Sequence, residues 1–290
     1  MPLVTVVMPV HNGAKTLNKS LESLAEQTCN SFKVIIFENA STDESRSIAE
    51  SFARRDSRFE VRPSRTFLTA VQNFRRAIFE GAQNTEFFCM RAADDYSPKN
   101  YLEELRSALS AHPGAALAVS PVAYLQPDGG EHIPTRHSVA EFQSHAYERY
   151  KGLVFPGSWY YGLYRSEKAA GYLLDSFTLF PYAWGVDRLV VYKMIADLGL
   201  VFVPSTTFYC QIGSESDVKY APKTLSDALR RRYTYYSACM DMGLHKNSTG
   251  PIDAIHSRLH AWRIAGRHTG TRAKQLLRLA FGLKKKVIHT

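Results

Sequence analysis

Short apolar runs alternate along the first part of the chain with a segment in which leucines recur at helical spacing. Residues 4–9 are apolar and mostly β-branched, which predicts a buried strand. A turn at residues 11–13 separates this strand from a helical pattern over residues 16–26, and residues 33–37 predict a second buried strand. The order strand, helix, strand favours a parallel sheet with right-handed crossovers.

A polar loop, residues 38–43, follows the second strand. Ser41 or Thr42 is placed to cap a helix that we expect to extend through Phe52. Because ligands of parallel sheets bind beyond the carboxyl ends of the strands, the carboxylate and amide of Glu38 and Asn39 can meet a base or a ribose there. Alternatively, the loop is only a helix-capping turn.

Apolar runs typical of strands and apolar residues at helical spacing alternate through the rest of the chain. They predict helices over 71–81, 100–111, 187–198 and beyond Pro222, and strands over 86–90, 115–119, 159–165 and 200–203. Residues 126–157 are irregular and contain prolines, histidines and a glycine pair, so we expect a long excursion that faces a ligand.

Length and composition indicate one large α/β domain with appendages, or two small domains, since the chain has 290 residues. No stretch approaches the roughly 20 apolar residues of a membrane span, and the N-terminus predicts a strand rather than a signal peptide. The four cysteines are far apart in the sequence, which favours reduced thiols and a cytoplasmic protein.

The net charge of +9 suits anionic partners, which include nucleotide phosphates, a lipid surface and nucleic acid. We expect no nucleic-acid partner, because the sequence contains no recognised nucleic-acid-binding module.

Asp94 and Asp95 follow the predicted strand 86–90. Two adjacent carboxylates repel one another at a sheet edge unless a divalent cation or ribose hydroxyls lie beside them. Alternatively, they form a solvated turn that caps the next helix.

Asp187 opens an apolar helix beside Trp184 and Gly185. It is a candidate general base whose pKa an aromatic wall would raise. Alternatively, its carboxylate is an N-cap.

Taken together and in this order, these segments resemble the family-2 glycosyltransferases. The opening strand with its turn at residues 4–13, the helix with Leu21 to Thr28, the loop 38–43, the acidic pair and Asp187 match that family's motifs over residues 3 to about 210. The resemblance implies a GT-A fold, in which a mostly parallel twisted sheet is flanked by helices. It implies a catalytic domain over 1–215, with a Rossmann-like nucleotide-binding half at 1–98 and an acceptor half at 99–215. A helical basic extension would follow at 216–290.

The same resemblance implies a role for each matching residue. Asp95 would ligate Mn²⁺ or Mg²⁺, and Asp187 would deprotonate the acceptor hydroxyl. The base and ribose site would be lined by Pro9, His11, Glu38, Asn39 and Asp94.

The implied function is inverting transfer of a sugar from a nucleotide-sugar donor, with UDP-sugars favoured, to a hydroxyl of a glycan or lipid-linked acceptor. The resemblance places this reaction in bacterial surface polysaccharide synthesis. An alternative is a catalytically degenerate GT-A domain that binds nucleotide or glycan as a scaffold. A dinucleotide oxidoreductase would need a Gly-x-Gly-x-x-Gly turn after the first strand, and residues 11–15 lack it.

Three positions depart from the family pattern. Ala92 stands where many members carry a further Asp, which leaves fewer carboxylates for the metal. Asn39 stands in the usual acidic pair, which weakens the expectation of a strict uracil preference. Val186 stands where a Glu usually precedes the catalytic Asp.

Aromatic residues cluster on the presumed acceptor side, and Trp159, Tyr160 and Trp184 are the candidate acceptor platform. Aromatic faces pack on sugar C–H surfaces, although aromatics on strands also serve as core residues.

The C-terminal segment 272–286 mixes leucines with basic residues and ends in three lysines. It predicts either peripheral contact with the inner face of an anionic membrane or a helix packed on the catalytic domain. His256 and His260 are one helical turn apart, but without a third ligand nearby this spacing is weak support for zinc.

Overall fold

The computed structural model describes residues 3–126, 130–132, 155–212, 220–243 and 251–280. Most strands belong to a seven-stranded sheet with the order β3-β2-β1-β4-β8-β5-β9. Its members are β1 (Val4–Val10), β2 (Phe32–Glu38), β3 (Phe59–Val61), β4 (Phe87–Met90), β5 (Leu117–Val119), β8 (Leu163–Arg165) and β9 (Leu200–Phe202). A three-stranded sheet contains β10 (Phe208–Gln211), β6 (Val122–Leu125) and β7 (Glu131–His132) in that order.

Helices cover both faces of the larger sheet and continue beyond it. They are α1 (Ala14–Ala25), α2 (Ser45–Arg55), α3 (Ala70–Gly81), α4 (Tyr101–Ala111), α5 (Ser166–Leu179), α6 (Val186–Lys193), α7 (Leu225–Asp241), α8 (Pro251–His268) and α9 (Ala273–Ala280). A 3₁₀ turn lies at Gly157–Tyr161, and a π-helical turn at Met194–Leu198 prolongs α6.

The large sheet is mostly parallel, as the sequence predicts. β1 pairs in parallel with β2 and with β4, β2 with β3, and β5 with β9, whereas β8 runs antiparallel to both β4 and β5. Six of the seven residues of β1 are buried, and α3 packs directly against this strand. Because β1 pairs in parallel with both β2 and β4, the carboxyl ends of these three strands meet at one edge of the sheet.

Two local predictions need correction. The predicted helix cap at Ser41 or Thr42 is wrong, because α2 begins only at Ser45 and both residues bind the neighbouring turn instead. The predicted strand 159–165 is a strand only from Leu163 onward. Gly162 packs so tightly that a Cβ there would lie 2.4 Å from the Ala118 carbonyl oxygen, and the chain before it coils into the 3₁₀ turn.

The C-terminal helices pack on the sheet-bearing part of the chain. α7 contacts α5 and α8, and Lys193 at the end of α6 donates a hydrogen bond to the carbonyl of Met242 after α7. The predicted boundary at residue 215 lies outside the described residues, as does most of the predicted excursion 126–157. The division into domains therefore stays a prediction.

Gly81 provides a test of how closely α3 lies on the sheet. An ideal Cβ at this position would lie 1.9 Å from Cγ1 of Val7 in β1. We expect Gly81→Ala to lower the free energy of unfolding by about 1–3 kcal/mol through overpacking, measured by urea denaturation.

Gly171→Ala in α5 is the matched control. Among the described residues, nothing lies within 4 Å of a Cβ at this position. Alanine there should stabilise the helix by roughly 0.5–1 kcal/mol relative to glycine. Equal effects of the two substitutions would contradict the close contact between α3 and β1.

Candidate active site

The turn after β1 and the loop after β2 are joined by a set of hydrogen bonds. The backbone N–H of Thr42 donates to Oδ1 of Asn12 (2.8 Å), and the N–H of Asn12 donates to Oγ of Ser41 (3.2 Å). The N–H of Ala14 donates to Oδ2 of Asp43 (3.0 Å), which satisfies one of the free donors at the start of α1. The two loops thus form one rigid shelf at the edge of the sheet.

Glu38 and Asn39 are almost fully buried within this shelf. A carboxylate oxygen of Glu38 accepts a hydrogen bond from the N–H of Ser41 (2.6 Å). The side-chain amide of Asn39 donates to the Leu68 carbonyl (2.9 Å) and accepts from the Leu68 N–H (2.8 Å). Both side chains meet protein backbone here, so their predicted contact with base and ribose stays a prediction.

Pro9 and His11 lie at the same edge, and both are half-buried. Nδ1 of His11 lies 2.9 Å from the Asn39 carbonyl, which can only accept, so Nδ1 carries a proton. The imidazole packs edge-on against Phe67, with ring centroids 4.9 Å apart. Phe67 is 57% exposed and follows no periodic pattern, which is why the sequence did not point to it.

Asp95 is held from the far side of the sheet edge by β10. Its Oδ1 accepts the backbone N–H of Gln211 (3.0 Å), and the next residue, Tyr96, stacks on Tyr209 with ring centroids 4.8 Å apart. Asp95 is 2% exposed, whereas Asp94 is half-buried. Burial, followed by the negative charge of Asp94, raises the pKa of Asp95 to about 8.

The acidic pair fits a divalent cation by its chemistry. Carboxylate oxygens are the preferred ligands of Mg²⁺, and a buried carboxylate beside a second one gains most from a nearby cation. Within the described part of the chain, no three or more His, Cys, Asp or Glu side chains form a group that could hold a metal. Asp94 and Asp95 are therefore the residues of this edge that could hold such an ion.

Zinc at the two C-terminal histidines has no support of this kind. The side chain of His256 lies outside the described residues, and within the part of the chain that the structure describes His260 belongs to no group of three or more His, Cys, Asp or Glu side chains that could hold a metal.

Arg91 is a buried cation beneath the acidic pair, and sequence reasoning missed it. It is 1% exposed, donates from Nη2 to Oγ of Ser97 (2.8 Å), and lies over Phe208 with 5.0 Å from the guanidinium carbon to the ring centroid. Its Nε and Nη1 have no hydrogen-bond partner among the described residues. The positive charge opposes the rise in the pKa of Asp95. Periodicity could not reveal it, because strand 86–90 ends just before it.

Asp187 lies in the first turn of α6, which begins after Gly185 in the left-handed region (φ 98°). Burial raises the pKa of Asp187, and the positive charge of Arg188 and backbone groups at the helix start oppose that rise only in part. An ideal Cβ on Gly157 would lie 2.3 Å from Oδ2 of Asp187, so the 3₁₀ turn covers the carboxylate.

A row of three polar side chains lies near the acidic pair and Asp187. The hydroxyl of Ser158 is 3.4 Å from the Tyr124 hydroxyl and 3.4 Å from Sγ of Cys210. Burial and then the charge of Asp95 raise the pKa of Cys210. Burial also raises the pKa of Tyr124, and the hydrogen bond from Ser158 opposes that rise. We call these residues the Tyr124–Ser158–Cys210 row. Ser158 follows Gly157, which lies against Asp187, and Cys210 precedes Gln211, which donates its N–H to Asp95. The contact between Ser158 and Cys210 therefore connects the surroundings of the two acidic centres.

The predicted acceptor platform needs correction at two of its three residues. Trp159 and Tyr160 are only 1% and 2% exposed, and Nε1 of Trp159 donates to the Ser120 carbonyl (3.0 Å). They pack in the core because the 3₁₀ turn directs them inward. Trp184 is half-buried and stays a candidate for acceptor contact.

Comparison with known proteins shows which sequences and folds are similar to this chain. The family described as Glycosyl transferase family 2 matches residues 5–187. The putative glycosyltransferase EpsH of Bacillus subtilis is 34% identical over 105 residues, which cover 36% of this chain and 29% of that protein. The glycosyltransferase GlyG of Streptococcus pneumoniae is 27% identical over 105 residues, covering 36% of this chain and 34% of GlyG.

Solved structures match over nearly the whole chain. S. aureus TarS 1-349 in complex with UDP-GlcNAc has a TM-score of 0.67 at 18% identity, covering 99% of this chain and 77% of that one. The mannosyltransferase PcManGT from Pyrobaculum calidifontis, in complex with GDP-Man and Mn²⁺, has a TM-score of 0.57 at 16% identity, covering 98% and 76%. At these identities the likeness shows the fold, and the predicted GT-A fold class is confirmed.

The Asn39–Leu68 contact provides a test of the shelf. Asn39→Asp preserves shape but removes the donor to the Leu68 carbonyl and leaves a buried charge. We expect a loss of about 1–3 kcal/mol in unfolding free energy, measured by urea denaturation. Asn30→Asp, at an exposed loop position, is the control and should change stability little. Equal stability of the two variants would show that the amide pairing does not hold the loop.

Proposed function

The chain belongs to glycosyl transferase family 2, and on that premise we propose that it transfers a sugar from a nucleotide-sugar donor to an acceptor hydroxyl. One observation carries the proposal. Asp95 and Asp187 are 92 residues apart in the chain, yet a short series of contacts connects them. Gly157 lies against Asp187, the next residue, Ser158, contacts Cys210, and the residue after Cys210, Gln211, donates its N–H to Asp95. A cation-binding carboxylate and a candidate base connected in this way suit a displacement between two substrates.

The donor nucleotide would lie on the shelf formed by the loops after β1 and β2. The exposed ring of Phe67 beside His11 can stack on a base, and Pro9 borders the same edge. TarS has been solved with UDP-GlcNAc and PcManGT with GDP-Man, so structures of this fold hold more than one base. We favour a UDP-sugar. Glu38 and Asn39 would act mainly by positioning the loops, since both bind backbone groups.

Asp95, with Asp94 beside it, would hold the Mn²⁺ or Mg²⁺ that the family resemblance implies. When bound, such a cation offsets the charge of the diphosphate leaving group. Arg91 lies below the pair, and its positive charge lowers the free-energy cost of burying Asp95 beside Asp94. Asp94 would also contact the ribose.

Asp187 would accept the proton of the acceptor hydroxyl. The oxygen then forms a bond to the anomeric carbon as the bond from that carbon to the diphosphate breaks, and attack from the opposite face inverts the configuration. Burial favours this role, because a carboxylate with a raised pKa is a stronger base than an ordinary aspartate.

A second candidate is a degenerate GT-A domain that binds nucleotide or glycan without turnover. The observation behind it is the small number of metal ligands, since Ala92 stands where a further carboxylate is common. This alternative predicts that donor binding occurs without transfer.

The acceptor and cellular setting are further proposals. We propose a glycan or lipid-linked acceptor in surface polysaccharide synthesis, at the inner face of a membrane, with peripheral contact through segment 272–286. Residues 281–290 lie outside the described residues. Of the helices that the structure describes, none is long and apolar enough to cross a bilayer.

Transfer from a donor panel tests the proposed function. The purified protein with Mn²⁺ should release nucleoside diphosphate from one nucleotide sugar, and the same compound should raise the melting temperature. Asp187→Asn should lower kcat by about 10²–10⁴-fold, because general-base catalysis contributes that much, while the donor-induced thermal shift remains.

Asp175→Asn, at an exposed position of α5, is the matched control and should retain wild-type kcat. In the wild type, kcat should fall as the pH drops through the raised pKa of Asp187, above the range of an ordinary aspartate. A thermal shift without any turnover would favour the scaffold. Full activity of Asp187→Asn would remove Asp187 from the role of base.

The contact between Gly157 and Asp187 makes a separate prediction. Gly157→Ala would push the carboxylate aside, and a displacement of about 1 Å can cost roughly 10²-fold in kcat. The melting temperature should change little, because the added methyl displaces only the side chain of Asp187. Gly114→Ala, which meets nothing within 4 Å among the described residues, should leave kcat unchanged. Unchanged turnover of Gly157→Ala would show that the turn does not position the base.

A further inference from the structure

Helices α7 and α8 each carry an exposed apolar stripe. On α7 the stripe is Leu229, Tyr233 and Tyr236, and on α8 it is Ile255, Leu259 and Trp262. Both stripes have spacings of four and then three residues, so each lies along one face of its helix. Tyr233 is 64% exposed, Leu259 58% and Ile255 57%. These are large apolar side chains without a cover among the described residues, and patches of this kind mark interaction sites.

The two stripes meet to form one surface, which we call the α7–α8 ridge. The ring of Tyr236 packs edge-on against Trp262, with centroids 5.8 Å apart, and Tyr233 follows at 6.4 Å from Tyr236. Arg232 of α7 joins the two helices, since its guanidinium lies 4.2 Å from the centroid of the Trp262 ring of α8 and its Nη2 donates to the Trp262 carbonyl (3.2 Å). The ridge is therefore preformed.

The charge of the ridge is positive. α7 and α8 contain six arginines against three aspartates and no lysine or glutamate. Asp227 is already paired with Arg231 at 2.9 Å. Arg230, Arg258 and Arg263 are exposed, and each lies three or four residues from a residue of the stripes. Exposed arginines thus border the apolar surface.

This combination identifies one kind of partner. Tyrosine and tryptophan with aliphatic neighbours and a basic border are typical of surfaces at the boundary between lipid headgroups and acyl chains. A symmetric dimer through the ridge would place the same arginines of two copies opposite each other, and like charges oppose that contact. An anionic bilayer complements both the apolar surface and its charge.

We propose that the α7–α8 ridge docks on an anionic lipid bilayer. The ridge precedes segment 272–286 and presents larger aromatic side chains than that segment contains, so it is a second and preformed membrane contact. The end of the helix α8, beyond the ridge, lies close to the helix that carries the candidate base. The carbonyl of His268 at the end of α8 would be 3.3 Å from a Cβ on Gly185, which immediately precedes α6. Docking would thus hold Asp187 near a lipid-linked acceptor, a consequence that rests on the proposed function, whereas docking itself does not.

Vesicle co-sedimentation of the full chain tests the proposal. We use vesicles of phosphatidylcholine alone and vesicles with an equal amount of phosphatidylglycerol. We expect binding to the anionic vesicles and weaker binding at high salt. The double variant Tyr233→Ser with Leu259→Ser should bind at least about tenfold more weakly, because it removes two large apolar side chains from the contact.

Phe79→Ser is the matched control, since Phe79 of α3 is 60% exposed but distant in sequence from the ridge, and it should bind as the wild type does. A variant with Lys284, Lys285 and Lys286 all changed to Gln separates the ridge from the C-terminal lysines. The proposal is overturned if the wild type does not bind anionic vesicles. It is also overturned if only the lysine variant loses binding.

Sedimentation equilibrium tests the alternative that a second copy of the chain covers the α7–α8 ridge. A dimer that the double variant abolishes, without vesicle binding by the wild type, would make a second copy of the chain the partner and would overturn the proposal. Because neither assay contains donor or acceptor, lipid binding can succeed while sugar transfer fails, and the reverse. The two proposals can therefore fail separately.

Discussion

The parallel pairing of β1 with both β2 and β4 is the constraint on which the site depends. Val4 lies opposite Phe32 on one side and Phe87 on the other, so the three strands run in the same direction and end at the same edge. Their following loops must then share a small space. Hydrogen bonds between the loops after β1 and β2 satisfy backbone groups exposed there and join these two strand ends into one shelf.

Electrostatics limits which charged side chains can be buried at this edge of the sheet. Asp95 is buried next to the half-buried Asp94, and burial of one carboxylate beside another raises the free energy of the folded protein unless positive charge or donors lie nearby. Arg91 beneath the pair and the N–H of Gln211 from β10 supply both. The second, smaller sheet is therefore part of the site, since without β10 the buried carboxylate would lose a donor.

The C-terminal helices contact both ends of α6. α6 presents Asp187, and its start packs against the end of α8, while its other end is bound to the residue after α7. A contact made by α7 or α8 can thus influence the position of Asp187 through direct packing on α6. This arrangement gives a physical reason for the exposed ridge and the candidate base to lie on neighbouring helices.

The sequence by itself determined the parallel α/β fold, the strand ends that carry Asp94, Asp95 and Glu38, and the helix that begins near Asp187, because these depend on local periodicity and on the order of elements. The tertiary structure alone decided which side chains face the site. Trp159 and Tyr160 are buried in the core, and the side chain of Asn39 forms hydrogen bonds with the Leu68 backbone. Arg91 and the Tyr124–Ser158–Cys210 row came into the site through contacts between distant segments. Such contacts leave no period in the sequence, since they depend on packing between elements rather than on spacing within one.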